Sequence, residues 1–265
     1  MSESPTRRTA LVTGASAGIG AAFARLLAAQ GHDLLLVARR EERLRELAAE
    51  LSAAHGVRCE IAPADLSDAH APLDVMARAD ALRMQIDILV NNAGLSGKDK
   101  FAETPWKDLA AELQIMVTAV TELARRAVPG MQARGWGRIV NVSSIAAFAP
   151  PGASLLYTGI KSYVLNMSQA LDMELKPQGI HVTALCPGFT RSEFHDVMGT
   201  RGLMDRFPKF VWQDADEVAR AGYEAVMKGR PVCVPGLVNK LAVGALRPLP
   251  ETLRYQLGRV ANPFK

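Results

Sequence analysis

The sequence predicts an α/β fold, a doubly wound parallel sheet of about seven strands with helices on both faces. Three observations predict it. Short aliphatic runs recur along the chain, each the length of a buried strand, and stretches of helical periodicity separate them. The runs are continuously apolar, as strands covered on both faces are. The residues that carry chemistry directly follow these runs, where a parallel sheet gathers them along one edge. At 265 residues the chain is long enough for one large core. We therefore expect residues 1–265 to form a single domain.

Thr9-Ala10-Leu11-Val12-Thr13 reads as the first strand. Gly14-Ala15-Ser16-Ala17-Gly18-Ile19-Gly20 follows, then a helical run from Ala21 to Ala29. Strand, glycine-rich turn and helix together form a dinucleotide site: glycines let the backbone approach a pyrophosphate, and the helix N-terminus favours the anion. The spacing is G-x-x-x-G-x-G, distinct from G-x-G-x-x-G. Gly14, Ser16, Gly18, Ile19 and Gly20 are the expected contacts; the bland reading is a tight connection.

Asp33–Ala38 is the second strand. An NAD site usually places an acidic residue at its end for the ribose 2′-hydroxyl. Here the chain reads Ala38-Arg39-Arg40. Guanidinium groups suit a 2′-phosphate, so NADP(H) is expected over NAD(H). Alternatively, the pair merely opens the exposed helix Arg40–His55. Val57–Ala62 is a third strand, followed by Asp65-Leu66, and Ile86–Val90 a fourth, followed by Asn91-Asn92-Ala93-Gly94. Gly14, Arg39, Asp65 and Asn91 thus fall along one edge, within reach of one extended cofactor.

Pro105 to Met131 reads as one long helix, and Arg138–Val142 as the fifth strand, ending in Ser143-Ser144. A loop with Pro150, Pro151 and Gly152 leads to a helix carrying Tyr157 and Lys161. Their i,i+4 spacing stacks both on one helix face. An ammonium beside a phenol lowers its pKa and makes it usable as an acid–base group near neutrality. Ser144, 13 residues before Tyr157, is placed to donate a hydrogen bond to a carbonyl oxygen. Ser144 stands in no G-x-S-x-G elbow and no histidine follows it in a triad arrangement, which argues against a serine nucleophile. Ile180–Leu185 is the sixth strand, ending in Cys186-Pro187-Gly188-Phe189-Thr190. The apolar-studded segment 191–213 is a candidate substrate lid. A helix over Asp214–Lys228, capped by Asp214, precedes a last strand at Pro231–Val234.

The net charge of +4 is modest, and its excess sits in the tail, at Lys240, Arg247, Arg254, Arg259 and Lys265 against Glu251. The body is nearly balanced, so nucleic-acid binding is not expected. Cys59, Cys186 and Cys233 form no C-x-x-C, and the five histidines show no metal-ligand spacing. No metal site is expected. No leader or membrane-length apolar run stands out, which places the expected location in the cytoplasm.

Taken together, Thr13-Gly14-x-x-x-Gly18-Ile19-Gly20, Asp65-Leu66, Asn91-Asn92-Ala93-Gly94, Ser144, Tyr157-x-x-x-Lys161 and Pro187-Gly188-x-Thr190 resemble the short-chain dehydrogenase/reductase family in its single-domain, Rossmann-type form. The resemblance runs from Thr9 to about Val234. It implies that Tyr157 protonates the carbonyl oxygen, that Lys161 lowers its pKa and holds the nicotinamide ribose, and that Ser144 polarises the carbonyl. It implies further that Asp65 contacts the adenine, that Asn91 lines the adenosine side and that Thr190 holds the carboxamide, with Leu66, Ala93, Gly94, Pro187 and Gly188 also at the cofactor.

One position departs. The family usually has an Asn where Met116 stands, and that Asn holds a water in a proton relay reaching the lysine. A thioether is only a weak acceptor. Glu112, one turn earlier, is a candidate replacement, and Met116→Asn is expected to keep or raise activity. Val234-Pro235-Gly236-Leu237 and the apolar, basic extension 235–265 resemble ketoacyl and hydroxysteroid reductases acting on bulky lipid-like substrates. The expected activity is NADP(H)-dependent reduction of a hydrophobic ketone. Rival readings are a regulatory or scaffold protein that binds the dinucleotide with weak turnover, and an NAD-linked alcohol dehydrogenase. Helices 105–131 and 155–175 offer apolar surface for a homo-oligomer. The basic tail is a candidate for subunit packing first and peripheral membrane contact second, since Pro248 and Pro250 break it.

Overall fold

A computed structural model of the chain describes residues 7–95, 101–149, 156–191 and 211–260. Seven strands, β1 (Thr9–Thr13), β2 (Asp33–Ala38), β3 (Cys59–Pro63), β4 (Ile86–Asn91), β5 (Gly137–Val142), β6 (Ile180–Leu185) and β7 (Val232–Cys233), form one sheet in the order β3-β2-β1-β4-β5-β6-β7. Every pairing is parallel. Among the described residues the α-helices are α1 (Gly18–Ala29), α2 (Glu41–His55), α3 (Ala71–Ala81), α4 (Trp106–Leu113), α5 (Ala119–Arg134), α6 (Tyr157–Leu175), α7 (Ala215–Met227), α8 (Leu237–Leu246) and α9 (Glu251–Val260). This is the doubly wound, Rossmann-like sheet that the sequence predicts.

Period-2 alternation sorts the buried strand residues onto two cores. Ala10, Val12, Leu34, Leu36, Ile88 and Val90 pack with Phe23 and Leu27 of α1, Leu44 of α2 and Val218 of α7. Leu11, Leu35, Val37, Leu89, Ile139 and Val182 pack on the other face with Val75 of α3, Leu123 and Ala127 of α5, and Leu175 of α6. Leucine has a high helix propensity, yet Leu34, Leu35 and Leu36 form a strand. Complete burial of such a side chain contributes about 1.5–3 kcal/mol, against a strand-propensity range of only about 1 kcal/mol.

Several boundaries differ from expectation. α1 begins at Gly18 rather than Ala21, so the last two glycines of the turn are the helix's first residues. β4 extends to Asn91, which makes Asn91 a strand residue. The long helix expected over Pro105–Met131 is α4 and α5 joined by a π turn at Gln114–Thr118, and it runs on to Arg134. Neither glycine nor proline stands within that turn to announce it. Asp214 caps α7, its carboxylate accepting from the Asp216 N–H at 2.8 Å. Pro248 and Pro250 lie between α8 and α9 as expected. The loop bearing Pro150, Pro151 and Gly152, and residues 192–210 of the expected lid, lie outside the described residues. Among the described residues no helix is long and apolar enough to cross a membrane.

Candidate active site

β1 has β2 on one side and β4 on the other, so the chain order reverses there and opens a crevice at the carboxyl ends of the strands. Gly14 follows β1 with φ +65°, and a Cβ on it would meet Asn92 Nδ2 at 2.6 Å. A Cβ on Gly20 would run into the Gly14 carbonyl and the same amide. Two side chains outside the expected contacts, Thr13 and Asn92, fix this turn. Thr13 Oγ1 accepts from the N–H groups of Asn92 (2.9 Å) and Ala93 (3.0 Å), while Asn92 Nδ2 donates to the carbonyls of Thr13 (3.0 Å) and Gly14 (3.3 Å). No side chain caps α1. Its first N–H groups lie behind bare glycine backbone, an arrangement that fits a pyrophosphate.

Beside this turn Arg40 folds back on Ser16, with Nη2 and Nε at 3.1 and 3.3 Å from Ser16 Oγ. Arg39 is exposed next to it and exerts its field on Asp65. The Ser67 N–H (3.0 Å) and hydroxyl (2.8 Å) hydrogen-bond Asp65, and the backbone bond is the first cause holding its carboxyl below the ordinary range. The two guanidinium groups form a cationic rim suited to a phosphate. Leu66 is buried against Ile115 and Met116.

Asn91 differs from expectation. Its side chain turns into the core, with Nδ2 donating to Asn141 Oδ1 (2.9 Å) and to the Val120 carbonyl (3.2 Å). Asn141 continues this buried chain to Ser168 Oγ at 3.0 Å. The Asn91 side chain thus ties β4 to β5 and α5 and is not turned to an adenosine side.

Ser144 caps a short 3₁₀ turn at Ile145–Phe148, its Oγ accepting from the Ala146 N–H at 3.1 Å. Tyr157 is the first residue of α6, and Lys161 follows one turn on. Lys161 is 7% exposed; its Nζ donates to the Val142 carbonyl at 2.9 Å and lies 5.4 Å from the Tyr157 ring centroid. Ser143 Oγ donates to the Lys161 carbonyl at 2.7 Å, pinning that turn of α6 to β5. Burial pulls the Lys161 ammonium down to about 8. Burial pushes the Tyr157 phenol above its ordinary value, and a hydrogen bond with Ser144 pulls it back. The expected lowering of Tyr157 by Lys161 is therefore not what this geometry gives. The ammonium is turned to a carbonyl, and desolvation dominates.

Met116 sits in the π turn, 1% exposed, with its sulfur close under Gly94 (3.4 Å from where a Cβ would stand). Its apolar cluster contains Leu66, Ala71, Ile115, Ala119 and Ile160. Glu112 is also buried. An amide placed at 116 would be buried among apolar neighbours, at about 1–3 kcal/mol if it finds no partner. Met116→Asn is therefore expected to lower the unfolding midpoint by several degrees, whatever it does to turnover. A thermal melt beside an activity assay checks this.

On the far side of the cleft, Thr190 is 5% exposed and its Oγ1 donates to the Gly188 carbonyl at 3.2 Å. Residues 189–191 pair with Gln213: its N–H donates to the Phe189 carbonyl (2.8 Å), and its carbonyl accepts from the Arg191 N–H (3.0 Å). The two described ends of segment 191–213 are thereby tied together. Among the described residues, no group of three or more His, Cys, Asp or Glu side chains is arranged to hold a metal ion.

A glycine turn at the switch point of a doubly wound sheet, with Ser, Tyr and Lys gathered at the same sheet edge, defines a dinucleotide-dependent oxidoreductase class. The family model described as short chain dehydrogenase matches residues 8–200, and the chain belongs to the short-chain dehydrogenase/reductase family. It is 31% identical over 229 residues to a very-long-chain 3-oxoacyl-CoA reductase of Phaeosphaeria nodorum, across 82% of this chain and 65% of that protein, so it spans less than two thirds of that relative. Among solved structures it is similar to a short-chain dehydrogenase from Sphingobium yanoikuyae in complex with NADPH, with TM-score 0.79 and 34% identity over 92% of this chain and 97% of that one. It is also similar to a bulky-bulky ketone specific alcohol dehydrogenase from Comamonas testosteroni, with TM-score 0.77 and 30% identity over 93% and 96%.

Proposed function

We propose that the protein is an NADP(H)-dependent carbonyl reductase converting a hydrophobic ketone into a secondary alcohol. The observation that carries this reading is the Ser144–Tyr157–Lys161 cluster at the same sheet edge as a glycine turn rimmed by Arg39 and Arg40. Gly14, Ser16, Gly18, Ile19 and Gly20 would hold the pyrophosphate, Arg39 and Arg40 the 2′-phosphate, Asp65 the adenine end, and Pro187, Gly188 and Thr190 the carboxamide end. The bound cofactor supplies a hydride to the ketone carbon. The chain supplies the rest. Ser144 orients the carbonyl through its hydroxyl, Tyr157 passes its phenolic proton to the carbonyl oxygen, and the Lys161 charge supports the phenolate left behind. Similarity to a bulky-bulky ketone specific alcohol dehydrogenase and to a very-long-chain 3-oxoacyl-CoA reductase supports a bulky or acyl ketone.

Met116 favours a second reading, a dinucleotide-binding regulatory protein with weak turnover. Cofactor oxidation with medium- and long-chain ketones, NADPH against NADH, separates the two. Turnover with NADPH supports the reductase, and tight NADPH binding without turnover supports the regulator. The double variant Arg39→Ala/Arg40→Ala is expected to raise the KM for NADPH about 10–100-fold while leaving NADH nearly unchanged, because charge-assisted bonds to a phosphate contribute about 1.5–3 kcal/mol. Equal effects on both cofactors would assign the site to NAD(H).

A further inference from the structure

The matched family segment ends at residue 200, yet the side chains of Gln213, Asn239 and Arg254 from beyond it reach the loops that frame the site. Asn239 of α8 is 4% exposed and lies under Gly188, where a Cβ would collide with its amide. Asn239 Nδ2 donates to Gln213 Oε1 at 2.8 Å and to the Pro235 carbonyl at 3.0 Å, and the same Gln213 Oε1 accepts from the Gly188 N–H at 3.2 Å. One oxygen therefore joins α8, the end of segment 191–213 and the loop after β6. From α9, Arg254 Nη2 donates to the carbonyls of Phe148 (3.2 Å) and Ala149 (3.1 Å), at the end of the turn that Ser144 caps. Between the two, Val243 of α8 packs with Phe148, Ala184 and Cys186 beneath both loops.

We propose that α8 and α9 brace the active site at two separate points: Asn239, through Gln213, positions the Gly188–Thr190 loop, and Arg254 positions the Ser144 turn. Both are positioning residues, and their assignment to a catalytic purpose rests on the reductase reading above. The physical ground is that neither segment belongs to a strand or an α-helix: one is the loop after β6, the other a single 3₁₀ turn. A loop amide aimed at a ligand keeps its direction only if its neighbours are held, and small misplacements cost large factors in rate. The brace predicts a division of labour. Loss of the Asn239 contact loosens the cofactor's carboxamide end, whereas loss of the Arg254 contact loosens the serine that meets the ketone.

The test uses the full chain with Asn239→Leu, which keeps bulk and removes the donor, and Arg254→Met, with Arg254→Lys as the conservative variant. Amide hydrogen exchange is read without cofactor. Exchange at Gly188 is expected to rise about tenfold in Asn239→Leu only, and at Ala146, whose N–H reports the Ser144 hydroxyl, about tenfold in Arg254→Met only. Exchange in β1 and β4 is expected to stay unchanged. With NADPH, Asn239→Leu is expected to weaken cofactor binding about tenfold. Arg254→Met is expected to lower kcat with the NADPH Kd unaltered, and Arg254→Lys to restore part of it. Unchanged exchange in both loops, or a rise spread evenly over the sheet, overturns the brace. An absence of NADPH binding in the wild type overturns the reductase reading instead, and the exchange result stands apart from it.

Discussion

Tyr157→Phe is expected to lower kcat/KM for ketone reduction by about 10²–10⁴-fold, the range for a positioned general acid. The phenyl ring fills nearly the same space at the start of α6, so the fold and the glycine turn are expected to stay intact and the NADPH Kd to move little. The loss should therefore appear in kcat. The direction of the phenol's shift adds a pH signature. Burial keeps Tyr157 protonated to higher pH than a free phenol in the cofactor-free protein. Reduction consumes a proton from it, so activity should persist through neutrality and fall only on the alkaline side as the phenol ionises. A ketone-reduction profile that falls already between pH 6 and 7 would remove Tyr157 from the role of acid.

Lys161→Met is expected to remove most activity and at the same time raise stability near neutral pH. The folded protein holds the Lys161 ammonium, 7% exposed, with a pKa brought down to about 8, against about 10.4 for a free lysine. At pH 7 both folded and unfolded chains carry the charge, and the folded one solvates it less well. From about pH 8 to about 10.4 the unfolded chain binds more protons than the folded one, so the wild type gains stability as pH rises through that window. Methionine has similar length and no charge to desolvate, and it forgoes one hydrogen bond to the Val142 carbonyl. Replacing a buried charge by a packed apolar group is often neutral or stabilising. Denaturant midpoints at pH 6.5 and pH 9.5 check this. The variant should exceed the wild type at pH 6.5, and the gap should narrow at pH 9.5. A variant less stable at both would mean that the bond to Val142 outweighs the desolvation.

Much of this was legible in the sequence because a parallel sheet makes chemistry follow strands. Leu34–Val37 is an uninterrupted apolar run, so the strand and its end just before Arg39 could be read directly. Contacts made by a residue's direction were not legible. Asn91 occupies the expected position, but the pleat sends its side chain inward to Asn141, which residue order does not reveal. The tie between Thr13 and Asn92 joins residues 79 positions apart. Gln213 and Asn239 carry no motif, since an amide bonding a backbone N–H has no required spacing. The sign of the Tyr157 shift depended on where the lysine nitrogen turns, and helix periodicity sets the face but not the torsions.

The π turn at Gln114–Thr118 has a consequence for chain length. It closes with i→i+5 bonding and so takes up one residue more than an α-helical turn. A deletion elsewhere in α4 or α5 would rotate everything beyond it by about 100° and turn apolar positions towards water. A deletion inside the turn lets ordinary i→i+4 bonding run through. It is therefore the one place in this helix where the chain can lose a residue while the flanking helices keep their seats against the sheet. Substitution at Met116 tests which side chain belongs under Gly94. Shortening the turn tests whether the additional residue is what brings a side chain there at all.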